Sequence, residues 1–525
     1  VTLPIAKKPT LRRFQQASWD EPIVFELSKK GERGVLVSEI EPNIAATVSS
    51  ELPSGVRREV PPALPEIGQM RVLKHFLRLS QENLGADLNV DIGQGTCTMK
   101  YSPKINDQII RREELFDLHP LQDPKTVQGA LQIIWEMQEL LKEVSGLDAV
   151  SLQTSSGSSA IWSNIATIRA YFDDIGEGDT RDEIITTIFS HPSNAAAAKT
   201  AGYKIITLHP GEKGYPTLDQ YKEVISNRTA ALLITNPEDT GIFNPEIKEI
   251  VELFHSHGAL ASYDQANANG ILGITRAKEA GFDLCHFNLH KTFSTPHACG
   301  GPGGGASCVT KKLEKYLPKP HVVKRSDQFL LDDELPLSIG KVSPFYGVLP
   351  NIVRAYSWIM SLGAAGLREV AENAVLNNNY LLKNVLEISG ATAPYSNQHP
   401  RIEQVRYSWN ELFEETGVTS EEIGLRVLDY GMHYWTSHHP FIVPQPFTLE
   451  PTESYSREEL DEYINVLRAV AKEAKENPEV VKSAPHNQVV HHTDHADLDD
   501  PARWAITWRA YLRKYPEVQE RMRNG

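Results

Sequence analysis

From about residue 119 onward, short apolar runs of strand length alternate with longer stretches whose apolar positions recur at helical spacing. The strand-like runs are Ala149–Gln153, Glu183–Phe189, Lys204–Leu208, Ala230–Thr235, Ala259–Tyr263 and Leu284–Asn288. Helical stretches are Thr126–Ser145, Ala160–Phe172 and Pro245–His257, the last with Ile247, Ile250, Val251 and Phe254 on one face. Strands separated by helices predict an α/β fold, with a mostly parallel sheet covered on both faces. Ligands in such a sheet gather at the carboxyl ends of the strands. Thr154–Ser159, Ser190–Asn194, Thr235–Thr240, Asp264–Asn267 and His290–Lys291 all fall there.

The flanks follow a different pattern. Residues 1–118 are rich in proline and charge and only weakly periodic, which predicts an extended N-terminal arm with a helix over Arg71–Gln81. An arm with so little core of its own is expected to order against a partner subunit. Residues 119–370 form the expected large domain, and residues 371–525 a smaller α+β domain and tail containing Arg401–Trp409, Gly431–Val443 and Leu460–Glu476. Trp504, Trp508 and Tyr511 suggest that a final helix docks.

Composition narrows the partners. Of 525 residues, 40% are hydrophobic and 23% charged, enough for a large core, and the net charge of −15 comes without a basic block. That argues against nucleic acid and an anionic membrane surface. No apolar run approaches the roughly 20 residues of a membrane span, and Val1–Lys8 has no leader-like apolar region. Cys97, Cys285, Cys299 and Cys308 show no CxxC spacing, so neither a disulfide framework nor a zinc site is expected. A reduced, cytoplasmic protein is the expectation.

Candidate chemistry sits at two neighbouring strand ends. Lys291 follows the apolar stretch Phe282–Phe287 and precedes the glycine-rich Cys299–Ala306; Asp264 ends an earlier apolar run. A lysine and an aspartate so placed suit pyridoxal 5'-phosphate. The lysine bonds the aldehyde, and the aspartate keeps the pyridine nitrogen protonated so that the ring accepts electrons. Each residue alone reads more blandly, Lys291 as a surface charge and Asp264 as a cap or ion-pair partner. Ser155–Ser159, after a strand and opening a helix, offers N–H groups and hydroxyls to a phosphate, although most such turns only cap a helix. His191 offers a hydrogen-bonding imidazole near the ring or a cap. His290 and His297 lie outside any HExxH pattern, and His491–His495 reads as a polar tail, so no metal is expected.

Longer matches carry a family resemblance. Phe25–Ser28, Arg33–Val35, Cys97–Lys104, Thr126–Ala130, Thr235–Pro237, Tyr263–Asp264, Asn288–His297 and Glu450–Glu453 together resemble subunit 2 of the two-subunit glycine decarboxylase P-protein. The resemblance implies a fold-type I, aspartate aminotransferase-like pyridoxal phosphate enzyme. It implies that Lys291 bonds the cofactor and Asp264 pairs with its ring nitrogen, with His191 as a further catalytic candidate. Ser156, Gly157, Ser158, Ser159, Asn236, Ala266 and His290 would complete the cofactor site. Cys97, Thr98 and Lys100 would serve a substrate or interface loop. The family reaction takes CO2 from glycine and passes the aminomethyl group to a lipoyl carrier protein. The expected assembly is a homodimer or a heterotetramer with a subunit 1 homologue. Ser159 stands where the family has a stacking histidine, and Pro192, Gln265, Ala298 and Cys299 replace other family residues. That leaves open a diverged enzyme acting by Cα deprotonation, with β/γ-substitution or carbon–carbon bond formation on a larger amino acid such as S-adenosylmethionine. A non-catalytic regulatory subunit is the third reading, and retention of Lys291 and Asp264 argues against it.

Overall fold

A computed structural model describes residues 11–58, 60, 62–85, 88–93, 100–296, 303–395, 400–435, 442–491, 500 and 504–524, with side chains to 520. The chain divides into two compact units, one built on residues 86–482 and the other on 13–85 with 483–525.

The larger unit is organised by a sheet of β1 (Ala149–Ser151), β2 (Glu183–Thr187), β3 (Lys204–Leu208), β4 (Thr229–Thr235), β5 (Leu260–Gln265), β6 (Leu284–Asn288) and β7 (Gly305–Val309), in the order β1-β7-β6-β5-β4-β2-β3. The pairs among β2 to β6 are parallel, whereas β7 runs antiparallel to both β1 and β6. Successive residues of β4 serve opposite faces, as strand geometry requires. Leu232 and Ile234 pack with Leu131, Ile134 and Leu141 of helix Gln128–Ser145, while Ala231 and Leu233 pack with Ile161, Ile165 and Phe172 of helix Gly157–Asp174.

β7 is the strand the hydrophobic pattern does not reveal. A Cβ at Gly305 would lie 2.5 Å from Ser156 O and 2.9 Å from Thr154 Oγ1, so the close approach of β7 to β1 requires glycine. The resulting Gly-Ala-Ser-Cys-Val strand merges in sequence with the glycine run before it.

Helix Leu349–Val385 joins two cores. Ile352, Ala355 and Ile359 enter the core beneath the sheet, and Leu381 and Val385 enter a second one around Trp409, Tyr407 and Phe447. The expected division at 370/371 falls inside this helix, and its backbone departs from helical geometry at Gly363, where φ is 64°. The second core is covered by helices Ser420–Leu428 and Arg457–Glu476. It contains the antiparallel pair β10 (Val405–Ser408) and β11 (Pro446–Leu449), after the hairpin β8 (His321–Arg325) and β9 (Gln328–Asp332).

In the smaller unit, helix Gln69–Gln81 turns its charged side inward. Arg71 pairs with Glu32, and His75 and Arg78 both reach Glu21 at 2.8 Å. Met70, Leu73, Phe76 and Leu77 are left exposed. Trp508, at the start of helix Trp508–Lys514, stacks on Phe25 with ring centroids 4.7 Å apart.

Candidate active site

Asp264 occupies β5 opposite His286 of β6, and Lys291 lies three residues beyond the end of β6. Parallel pairing therefore brings acid and lysine to one end of adjacent strands. Asp264 is 4% exposed; its Oδ2 accepts from Asn194 Nδ2 at 2.8 Å and its Oδ1 from the Ala266 N–H at 3.0 Å. His286 Nε2 lies 3.2 Å from Oδ1 without forming a hydrogen bond. Burial pushes the Asp264 carboxyl upward, but His286, the Ala266 N–H, His191 and Asn194 outweigh it and hold the group below the usual carboxylate range. Burial lowers His286 itself, against the pull of Asp264. That imidazole is therefore largely neutral at pH 7, and the bonds from Ala266 and Asn194 are the support that persists there.

Lys291 is 8% exposed, and among the described residues its Nζ has no hydrogen bond or ion pair. Its neighbours are anchored. His290 Nδ1 sits 3.1 Å from both the N–H and the oxygen of Gly304. Thr292 Oγ1 accepts from the Ala268 N–H at 2.8 Å.

Ser156 caps helix Gly157–Asp174, its Oγ accepting from the Ser159 N–H at 3.1 Å, and Ser159 Oγ accepts in return from the Ser156 N–H at 2.9 Å. The Ser159 hydroxyl thus completes a capping box. A Cβ at Gly157 would come within 2.3 Å of Asn288 Oδ1, so glycine lets the end of β6 approach this helix start. The N–H groups of Gly157 and Ser158, at the first turn, form the anion-favouring end of the helix.

The other expected residues divide. His191 caps helix Pro192–Thr200, its Nδ1 2.6 Å from Ser193 Oγ, and its charge acts on Asp264. Asn236 turns its amide to the following loop, donating to Asn244 O at 3.2 Å and accepting from the Asn244 N–H at 2.8 Å. Lys100 is buried against Glu453 (2.9 Å), Asn269 Oδ1 (3.1 Å) and Thr292 O (2.9 Å), which ties it to the residue beside Lys291. Cys97, Thr98, His297, Ala298 and Cys299 lie outside the described residues. No cluster of metal-ligating side chains occurs among the described residues.

Pattern reading missed Asn194, Asn288, Glu403 and Glu450. Asn194 had a signal, since it closes the strand-end run Ser190–Asn194. Asn288 did too, as the last residue of β6. Glu403 and Glu450 reach the loop after β5. Glu403 had none, whereas Glu450 opens the Glu450–Glu453 run that carries the family resemblance.

These strand ends fit pyridoxal phosphate. Buried oxygens lacking any hydrogen-bond partner collect there: Thr154 Oγ1, Thr235 Oγ1, Gln265 Oε1 and Asn288 Oδ1. With them come an ionised acid, a lysine without an ion pair and a glycine cradle at a helix start. The arrangement can bond an aldehyde, hold a proton on a ring nitrogen and neutralise a phosphate.

Comparison with known proteins agrees. Residues 127–321 match the aminotransferase class-V family, and residues 370–495 match the C-terminal domain of glycine dehydrogenase. A probable glycine dehydrogenase (decarboxylating) subunit 2 from Pyrococcus horikoshii is 42% identical over 95% of this chain and 98% of its own length. A protein of the same description from Halalkalibacterium halodurans is 41% identical over 90% and 96%. Among solved structures, a glycine decarboxylase (P-protein) of the glycine cleavage system, in inhibitor-bound form, superposes with a TM-score of 0.70 at 19% identity, covering 83% of this chain and all of its own. A NifS-like protein gives 0.57 at 15% identity over 73% of this chain and all of its own. The architecture is the aminotransferase-like fold of type I pyridoxal phosphate enzymes, as the strand pattern and the resemblance led one to expect. With near-complete coverage in sequence and the same strand-end chemistry, the chain belongs to the glycine dehydrogenase (decarboxylating) subunit 2 family.

Proposed function

We propose that this chain is the pyridoxal phosphate-bearing subunit of a glycine-decarboxylating enzyme, which removes CO2 from glycine and passes the aminomethyl group to a lipoyl carrier protein. The observation that carries the reading is an acid kept ionised in the interior beside a buried lysine with no ion pair of its own. Bound there, the cofactor supplies an electron-accepting ring that stabilises negative charge on the substrate's α-carbon. Lys291 is the residue that bonds the cofactor and, once released, holds or returns a proton at that carbon. Asp264 keeps the ring nitrogen protonated, with Asn194 and Ala266 orienting it. Gly157 and Ser158 offer N–H groups to the phosphate, while Ser156 and Ser159 shape that turn. His191 would act on the ring side of the site through Asp264, His290 secures the glycine-rich approach, and Asn236 shapes the loop after β4.

The relatives' description as a subunit 2 supports a subunit 1 homologue as partner. The apolar side of helix Gln69–Gln81, exposed in this chain, supports a subunit contact through the arm. A cytoplasmic setting accords with Cys285 and Cys308, both free and buried.

The test is glycine-dependent exchange of labelled bicarbonate by the purified chain with its subunit 1 homologue and a lipoylated carrier, together with borohydride trapping of the cofactor. Exchange, with the trapped cofactor on Lys291, is expected. A trapped cofactor without exchange for glycine, but with turnover of a larger amino acid, would replace glycine as the substrate.

A further inference from the structure

A cavity of about 610 Å³ lies between residues 110–120, residues 343–347 and the start of helix Leu349–Val385, and it reaches Ser155. Its inner wall is apolar: Ala130 and Val353 are buried, and Leu118, Val348 and Leu349 are half-buried. Arg111, Phe116, His119 and Phe345 are exposed and so mark its mouth. At the far end, a Cβ at Gly303 would lie 3.4 Å from Ser155 O and 3.1 Å from His290 Nδ1. One glycine therefore separates the cavity from the residue before Lys291. A concave site of about 300–1,000 Å³ with apolar walls and a few polar groups is the usual form of a small-ligand pocket.

The walls hold their shape without an occupant. Ser343 donates its hydroxyl to Gln153 O, and the Val342 N–H donates to Gln153 Oε1 at 2.7 Å. A Cβ at Gly347 would collide with Leu152 O, so this end of the loop is pressed against the chain leaving β1. Between these anchors Phe345 has a φ of 60°. An aromatic residue keeps that left-handed backbone only where its surroundings impose it.

The mouth carries unused donors. Among the described residues the Arg111 guanidinium forms no hydrogen bond or ion pair, whereas Arg112 pairs with Glu114 at 3.0 Å. His119 Nδ1 accepts from the Leu121 N–H at 3.1 Å, which places the ring proton on Nε2. An uncharged ligand would leave the cation unanswered. A ligand with two carboxylates would have to carry one into the apolar interior, where a lone ion is costly.

We propose that this cavity is a second ligand site, which binds a small monocarboxylic acid with an apolar chain. The chain fills the space between Leu118, Ala130, Val348 and Val353. The carboxylate accepts from Arg111 at the mouth, with the His119 N–H as a second donor on the same wall. The site is distinct from the one at Lys291, and its occupancy does not depend on glycine being the substrate.

The test is calorimetric titration of the full-length, cofactor-loaded protein, alone and assembled with its subunit 1 homologue. The probes are acetate, butanoate, hexanoate and octanoate, with octanamide as the uncharged control. Affinity should rise by about fourfold per methylene from butanoate to octanoate. Octanamide should bind about fivefold more weakly than octanoate. Arg111→Gln should weaken octanoate by about the same fivefold and leave octanamide within about twofold. Leu118→Trp, which fills the cavity, should remove binding of both, and Val348→Trp serves if that variant does not fold. Octanoate that fails to saturate below about 1 mM, or a flat chain-length series, would overturn the proposal. Binding that survives the tryptophan, or is equal with and without Arg111, overturns it too. Loss of octanoate binding on assembly would give the cavity to the partner subunit and overturn the ligand site. Heat of binding needs no turnover, so a protein that does not act on glycine still tests the proposal.

Discussion

Replacing Asp264 with asparagine keeps the shape of the side chain and removes its charge, which separates its chemical work from its structural work. Without cofactor, the asparagine oxygen can accept from only one of Asn194 (2.8 Å to Asp264) and Ala266 (3.0 Å), because its amide nitrogen is a donor. The bond kept falls from charge-assisted strength, about 1.5–3 kcal/mol, to about 0.5–1.5 kcal/mol, and the other is lost. That loss, about 2.5–4.5 kcal/mol in all, is offset because a charge no longer has to be kept at a buried site, which costs several kcal/mol. The cofactor-free protein should therefore lose less than about 1 kcal/mol of stability. With cofactor present the balance differs, since a neutral amide no longer holds the ring-nitrogen proton. The variant should retain cofactor through Lys291, yet lose about 10²–10³-fold in turnover. The assays are urea unfolding of the cofactor-free protein and glycine-dependent bicarbonate exchange. Turnover within about twofold of the unmodified protein, against that loss, would show Asp264 to be structural. The pH dependence has a definite sign. The folded pKa of Asp264 is depressed, so its stabilisation is complete above the unfolded value of about 3.9 and is lost as pH falls through the lower folded value. Asp264→Asn should flatten that acid limb.

Lys291→Ala should abolish the borohydride-trapped cofactor, and an adduct on another lysine would refute the assignment. Gly157→Ala drives a methyl to within 2.3 Å of Asn288 Oδ1, so equilibrium titration should show about tenfold weaker cofactor binding; unchanged affinity would mean that the helix start does not hold the phosphate. Glu238 accepts from the Thr187 hydroxyl, but burial pushes its carboxyl up to about 8. A raised acid pKa means that stability declines as pH climbs from the unfolded value toward 8, so Glu238→Gln should raise the melting temperature more at pH 8 than at pH 5. Leu73→Asp with Phe76→Asp should reduce the assembled mass in light scattering, and an unchanged mass would clear this helix face of a subunit contact.

The sheet was legible because its central strands are buried on both faces and read as nearly continuous apolar runs. Lys204–Leu208 and Leu284–Asn288 coincide with β3 and β6, and the others differ by a few residues at their ends. β7 escaped because close packing against β1 demands small residues, and small residues carry no periodicity. At the site, Lys291 and Asp264 were visible as polar residues ending apolar runs, a pattern that survives without any knowledge of pairing. Asn236 was visible for the same reason, yet its amide serves Asn244. A strand-end position says where a side chain starts, and local loop geometry decides where it points. Glu403 and Glu450 could not be found this way, since they reach the site from elements more than a hundred residues away whose own pattern reports only their packing. Ser159 was visible as standing where the family has a stacking histidine; what its pattern did not show is that its hydroxyl closes the helix cap with Ser156.

The placement of β7 also dictates an order of events during synthesis. Among the described residues β1 has one sheet neighbour, β7, with Ala149 opposite Val309. β1 itself therefore cannot join the sheet until the ribosome has delivered the chain through Val309, well after β2 to β6 have emerged. Such a long-range pairing is slow to form because much chain must be closed before the contact is made. A nascent chain halted before Gly305 would carry Asp264 and Lys291 but leave β1 unpaired. That edge of the sheet is thus completed at a late stage of folding, when the rest of the sheet already exists to receive it.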